Sequence, residues 1–165
     1  MATLQLPHTA GCLVCGPGNP HGLGLSLQVE TQTGIVSVRF VPRAHHIGFP
    51  DIVHGGALAM VLDEAMVWAA SWSGKRFCLC GEMSIRFRAA AEIEKPLTCS
   101  ARVDASRARL ITTSAEALED SGRLIASASG KYVPLSAEQN RAFIQNFIDE
   151  PSTAAAADAL RHGDN

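Results

Sequence analysis

The chain has 165 residues, 47% of them hydrophobic, with 14 basic against 16 acidic residues, enough for one domain that buries a core without disulfides or metals. The near balance of charge, with no basic run, excludes a general nucleic-acid surface, and no stretch stays apolar long enough to span a membrane. The five cysteines make an odd number, and Met-Ala-Thr-Leu-Gln-Leu-Pro lacks the charged and apolar regions of a secretion signal, so reduced thiols in a cytoplasmic protein are expected.

Between Cys12 and Leu25 the glycines, prolines and Asn19 cannot sustain a regular element, so residues 1–24 read as a turn-rich N-terminal segment. Cys12 and Cys15 form a Cys-x-x-Cys pair suited to zinc or redox chemistry, but a structural zinc takes four ligands. Cys78 and Cys80 fit poorly as the other two, because they are expected on a strand. The segment is therefore read as a structural loop, with no metal and no cofactor.

Residues 25–30 and 35–40 alternate apolar with polar (Leu25, Leu27, Val29, then Val36, Val38, Phe40) around Thr33-Gly34, which predicts a hairpin with one buried face. Residues 42–52 are irregular and lead to a helix start, where loops often carry function. His54-Gly55-Gly56 then opens a run whose next sixteen residues, 57–72, are apolar except for Asp63, Glu64 and Ser71, and which contains good helix formers. A helix apolar on every face must be buried on almost every face. At 1.5 Å per residue it extends roughly 24 Å, so the remaining chain wraps around it. Asp63 and Glu64 then sit in the middle of a dry element, where an unpaired charge is costly. Gly74 is suited to cap the helix end.

Four extended segments follow, 77–87, 97–104, 110–118 and 124–133, and their short connections predict an antiparallel meander. Residues 110–118 hold Ala and Glu that suit a helix, but Ile111-Thr112-Thr113 favours a strand. Residues 136–148 space Phe143, Ile144, Phe147 and Ile148 helically. Residues 150–165 read as a flexible tail, leaving 25–149 as the folded domain. The order β-β-α-β-β-β-β predicts an α+β fold, an antiparallel sheet curled around one long central helix.

The string Ile52-Val53-His54-Gly55-Gly56-Ala57-Leu58-Ala59-Met60-Val61-Leu62-Asp63-Glu64-Ala65, with Cys12-Leu13-Val14-Cys15-Gly16 and Asn19-Pro20-x-Gly22-Leu23, resembles the hotdog-fold acyl-CoA thioesterases of the phenylacetic-acid-pathway type. The resemblance runs over most of residues 12–133. It implies a hotdog fold, and a homodimer or homotetramer whose subunits pair sheet edge to sheet edge. It also implies that the helix N-terminus of one protomer polarises the thioester, while the acid of the other, at Asp63 rather than Glu64, attacks it or activates water.

The residues support that chemistry beside the resemblance. The N–H groups of Gly55 and Gly56 have no intrahelical acceptor and lie at the positive end of the dipole. Without side chains they let a carbonyl come close, as an oxyanion site requires. Close helix packing is the other reading of Gly-Gly, and Asp63 downstream favours the first. Asp63 lies eight residues past Gly55, about 12 Å along the axis. The two cannot serve one carbonyl from the same chain, which places the site on a dimer interface. Neighbours on a helix point about 100° apart, so one faces the cleft while the other meets a salt-bridge partner, and the resemblance gives the cleft to Asp63. A buried structural acid is the alternative for Asp63.

His54 either contacts substrate or braces the loop, and His45 and His46 are weaker candidates. Many relatives carry an Asn six residues before His-Gly-Gly; Gly48 stands here, leaving water to a backbone group, His46 or Asp51. Cys80 stands where relatives place a Ser or Thr facing the partner's acid, and a thiol is a weak donor that also serves as a small buried hydrophobe. Arg86 and Arg88 alternate with Phe87, so they share one face that suits the phosphates of CoA; an ordinary solvated face is the alternative.

The expected function is hydrolysis of an acyl-CoA thioester to free acid and CoA. Asp63, Gly55 and His54 are the catalytic candidates, and Gly56, Cys80, Arg86 and Arg88 the substrate-binding ones. A non-catalytic acyl-CoA-binding hotdog sensor would keep the glycines without needing Asp63, and a hotdog hydroxyacyl-thioester dehydratase fits the carboxylate spacing poorly. The acyl group, and CoA against acyl carrier protein as its carrier, are not legible.

Overall fold

In the computed structural model, which describes residues 2–162, the apolar run becomes helix α1, Gly55–Gly74, roughly 30 Å long at its rise per residue. Buried residues run all round it, from Ala57 and Leu58 through Val61, Leu62, Ala65 and Met66 to Trp72, as apolar character on every face demands. Gly74 does not cap the helix. It lies inside α1, and Lys75 takes the left-handed position with φ 54°. A Cβ at Gly74 would lie 2.7 Å from Ile111 Cδ1, so this glycine allows close approach of the sheet.

The strands are β1 (Thr3–Gln5), β2 (Leu27–Glu30), β3 (Val36–Phe40), β4 (Ile47–Phe49), β5 (Ile52–Val53), β6 (Cys78–Phe87), β7 (Leu97–Arg107), β8 (Leu110–Glu119) and β9 (Leu124–Pro134). Seven of them form one sheet in the order β1-β2-β3-β7-β8-β9-β6, antiparallel throughout, and it curls around α1. The fold is the α+β hotdog arrangement. Alternation decides which side chains meet the helix: Leu27 and Val29, then Val36, Val38 and Phe40, then Leu97, Cys99 and Ala101 are buried. On β8 and β9 the inward positions include Ala115, Ala117, Ala126 and Ala128, short side chains that let a helix lie close to the sheet.

The expected meander holds for β7, β8 and β9 but not for β6. Residues 88–96 cross the start of α1, where Val53 N–H donates to the Ala91 carbonyl at 2.9 Å, and deliver the chain to β7 beside β3. Among the described residues β6 therefore pairs with β9 alone and forms one edge of the sheet. An edge strand leaves a row of backbone groups open to another chain.

Both ends of the chain are more ordered than composition suggested. β1 adds a strand to β2, and the turn-rich segment behind it folds back, with Leu23 N–H on the Leu13 carbonyl and Leu25 N–H on the Val14 carbonyl, both at 2.8 Å. Helix α2, Ala137–Ile144, starts at a Ser136 cap reciprocated by Gln139, a capping box, and stops four residues short of the expected end. The tail is not frayed over residues 154–161. They form α3, Ala154–Arg161, which contacts β1 and buries Ala156, Ala157 and Leu160; those positions make one apolar stripe, and covering it outweighs the fraying of a terminus. Arg161 also pairs with Asp149 at 2.7 Å. No helix among the described residues is long and apolar enough to cross a membrane.

Candidate active site

His54 is the N-cap of α1. Its extended backbone lets the carbonyl accept from Ala57 N–H at 2.9 Å, and its Nδ1 accepts from Gly56 N–H at 2.9 Å. The histidine thus spends one ring nitrogen on the helix start, leaving only Nε2 for any ligand. The same bond removes the Gly56 amide from the groups expected to meet substrate. The Gly55 N–H meets no acceptor among the described residues, so of the two predicted amides it alone stays free at the positive end of the dipole. A Cβ on Gly55 would lie 3.1 Å from Phe87 Cζ, which sets the exposed Phe87 ring, at the end of β6, over this amide.

Gly48 on β4 has its own reason to be glycine. A Cβ there would lie 2.9 Å from His54 Cα, so no asparagine fits at this point. β4 presses on the cap instead, and His54 N–H donates to the His46 carbonyl at 2.7 Å. Beside this junction opens a cavity of about 450 Å³ lined by His21, Leu23, His45, His46, His54 and Met60, among others. His46 Nδ1 accepts from Arg43 N–H at 2.9 Å, while its Nε2 is buried with no partner among the described residues.

Asp63 is half-buried midway along α1, and its partner is a phenol rather than a cation: Tyr132 O–H donates to Oδ1 at 2.7 Å. Burial, followed by this carboxylate, pushes the Tyr132 hydroxyl well above the usual phenol range, so it remains a donor. Cys80 joins them. Burial and the neighbouring Asp63 charge raise its thiol, and Cys80 faces Tyr132 in the β6–β9 register. Cys80 therefore sits beside the acid of its own chain.

Tyr132 was not anticipated. The signal was present: it is the single tyrosine of the chain, at an inward position of β9, where a phenol needs a partner. Gly130, two residues before it, leaves space for the ring, since a Cβ there would lie 2.5 Å from Tyr132 Cε2.

Glu64 turns away from Asp63, as neighbours on a helix must, but among the described residues it meets hydrogen-bond donors rather than a salt-bridge partner. Its Oε1 accepts from Trp68 Nε1 at 2.9 Å and from the Cys12 thiol at 3.7 Å, and burial pushes its carboxyl up to about 7. Arg86 and Arg88 share a groove of about 240 Å³ with Ser84, Ser127 and Ser129. Met83 and Ile85 pack against the core, so the groove lies on the face of β6 and β9 turned away from the helix.

The thioesterase superfamily model matches residues 51–126, the span from the turn before β5 into β9. No curated protein matches the chain. Among solved structures, a thioesterase superfamily protein is 26% identical with a TM-score of 0.69, over 74% of this chain and 60% of that one, so this chain spans less than two thirds of that protein's length. The Escherichia coli protein from the phenylacetic acid degradation operon is 20% identical with a TM-score of 0.64, over 69% and 81% of the two chains. A Streptococcus mutans protein bound to acetyl-CoA is 13% identical with a TM-score of 0.63, over 68% and 89%. The sheet and central helix thus have the hotdog fold, and the segment that carries α1 and most of the strands around it, residues 51–126, is similar to the thioesterase superfamily.

Proposed function

We propose that the protein hydrolyses acyl-CoA thioesters at sites shared by two subunits. The observation that carries this reading is Asp63, a carboxylate midway along the core helix whose Oδ1 is held by Tyr132, beside the edge strand of the sheet. A carboxylate so placed either attacks the thioester carbon or draws a proton from water. The Gly55 N–H supplies the dipole at which the carbonyl oxygen gathers charge.

The two groups lie about 12 Å apart along one helix, so the fold itself favours a second chain. Within a protomer Asp63 neighbours Cys80, near the start of β6, and Gly55 neighbours Phe87, at its end. Antiparallel pairing of two β6 strands about a two-fold axis sets the start of one against the end of the other. Asp63 then approaches the partner subunit's Gly55. The exposed Leu79, Phe87 and Val133 along this edge, 60%, 55% and 47% accessible, are the apolar surface such pairing would cover. Arg86 and Arg88 would then serve the phosphates of CoA from the outer groove, and the acetyl-CoA held by the Streptococcus mutans neighbour is consistent with this substrate class.

Release of free CoA thiol from a panel of acyl-CoAs tests the reading. Asp63→Asn, which keeps the size and the Tyr132 contact, is expected to fold normally and to lose about a hundredfold or more in rate. Wild-type turnover in that variant, or tight acyl-CoA binding without turnover in the wild type, would overturn it.

A further inference from the structure

The turns of the N-terminal segment bring together a second cluster, which thioester hydrolysis does not use. The sulfurs of Cys12 and Cys15 and a carboxylate oxygen of Glu64 all lie within 4.8 Å of one another. The backbone shapes this site around Cys12. The Val14 and Cys15 N–H groups donate to its sulfur at 3.4 and 3.3 Å, and Gly16 N–H returns to the Cys12 carbonyl at 3.0 Å. That return is so tight that a Cβ on Gly16 would overlap the Cys12 carbonyl oxygen, so the five residues Cys12 to Gly16 act as one unit. Amides turned onto a sulfur favour its anionic form, as do the outer hydrogen bonds that hold a metal-bound thiolate.

Glu64 comes to the cluster from α1, and Trp68 Nε1 fixes its Oε1 at 2.9 Å. Cys15 is 5% accessible. Three groups that can each carry negative charge are thus gathered in a sheltered place, where charge must be matched by a proton or a cation. A cavity of about 140 Å³ touches all three and is otherwise lined by Thr9, Val67, Trp68 and Phe77, among others. That is room for a fourth ligand the size of water.

We propose that Cys12, Cys15 and Glu64 bind a divalent ion of the zinc class, with two thiolates and one carboxylate from the protein and a water from the cavity. Two sulfurs select a borderline-soft ion over magnesium or calcium, and the carboxylate disfavours copper(I). Tetrahedral ligands at zinc's bond lengths lie roughly 3.5 Å apart, close to the 3.7 Å already between the Cys12 sulfur and the Glu64 oxygen, so binding moves the groups by about an ångström at most. As the ion binds, each thiol releases its proton to solvent and Glu64 enters as its carboxylate. The ion pins the N-terminal turns to the middle of α1, one residue from Asp63. A Cys12–Cys15 disulfide is the competing use of the pair; it would leave Glu64 without its thiol donor and the cavity without a purpose.

The test uses the full chain, reduced and stripped by a chelator, titrated anaerobically with cobalt(II) and then with zinc. Expected are one cobalt per chain, absorption from thiolate-to-cobalt charge transfer with tetrahedral ligand-field bands, loss of both on adding zinc, and a higher Tm with zinc than with chelator. Cys12→Ser, and separately Glu64→Gln, which keeps the Trp68 contact, should weaken binding at least about tenfold. The wild-type spectrum decides the matter even if a variant fails to fold. Cobalt held without a thiolate band would mean the histidine-lined cavity and overturn the proposal. A band that survives in the Cys12→Ser, Cys15→Ser double variant would overturn it too, as would a reduced protein that binds no metal and reoxidises to a Cys12–Cys15 disulfide.

Discussion

Tyr132 governs how Asp63 presents itself. Its hydroxyl donates to Oδ1 at 2.7 Å from a fully buried ring, so one carboxylate oxygen is fixed and the other is left for chemistry. A hydrogen bond to a charged group contributes about 1.5–3 kcal/mol. Tyr132→Phe keeps the ring and its packing while removing the donor, so it acts on the orientation of the acid rather than on the core. In the proposed reaction kcat should fall about ten- to a hundredfold, with KM changed far less, because Tyr132 positions the base and does not touch substrate. An unchanged kcat would reduce Tyr132 to a packing residue. At this scale Asp63 was legible because a carboxylate interrupts an apolar run, whereas its partner lies 69 residues away. Glu64 is similar: its thiol partner, Cys12, is 52 residues distant, and no local spacing reports a contact of that length.

Elements were legible in proportion to the number of periods they contain. α1 and the long strands β6 to β9 show several turns or alternations, and the structure has them within a few residues of their expected bounds. β1, β4 and β5 have two or three residues each, too few to display a period of two. Alternation says which face of a strand is buried but not which strand lies beside it, which is why β6 was placed in the meander rather than at the edge. The short helical turn Ala44–His46 ahead of β4 belongs to the same class, and it carries a pH dependence. Burial first, then the charges of His45 and Arg43, lower the His46 pKa below its ordinary value. Its ring also lies 5.3 Å from the Phe40 ring and 4.1 Å from that of His45. The unfolded chain therefore takes up the His46 proton at a higher pH than the folded one. The stability tied to neutral His46 is whole above the ordinary histidine pKa of about 6.5 and is lost as pH falls through the lower folded value. His46→Asn keeps an acceptor for Arg43 N–H and cannot ionise. Thermal unfolding followed from neutral to acid pH should show a smaller loss of Tm in the variant than in the wild type, and parallel curves would remove His46 from the account.

At the scale of the whole molecule, the proposed reaction needs two chains, because Asp63 and the Gly55 N–H lie about 12 Å apart along one helix and β6 stands at the edge of the sheet. On that proposal a two-fold pairing of β6 would provide two equivalent sites, each borrowing from both chains. Complementation tests this directly. Gly55→Pro deletes the N–H at the first helical position, where proline is tolerated, and His54 before it already has the extended backbone, φ −61° and ψ 130°, that proline demands of its predecessor. The exposed Phe87 ring can move aside for the new side chain. Alone, Gly55→Pro and Asp63→Asn should each be nearly inactive while remaining dimeric. Co-expressed, they form mixed dimers in which one site is doubly damaged and the other pairs an intact Asp63 with an intact Gly55. Random pairing then returns roughly a quarter of wild-type activity per dimer. A mixture that stays as inactive as its parents, with mixed dimers verified by native mass spectrometry, would mean that each site is built within one chain, and the two-chain reading of this fold would have to be abandoned.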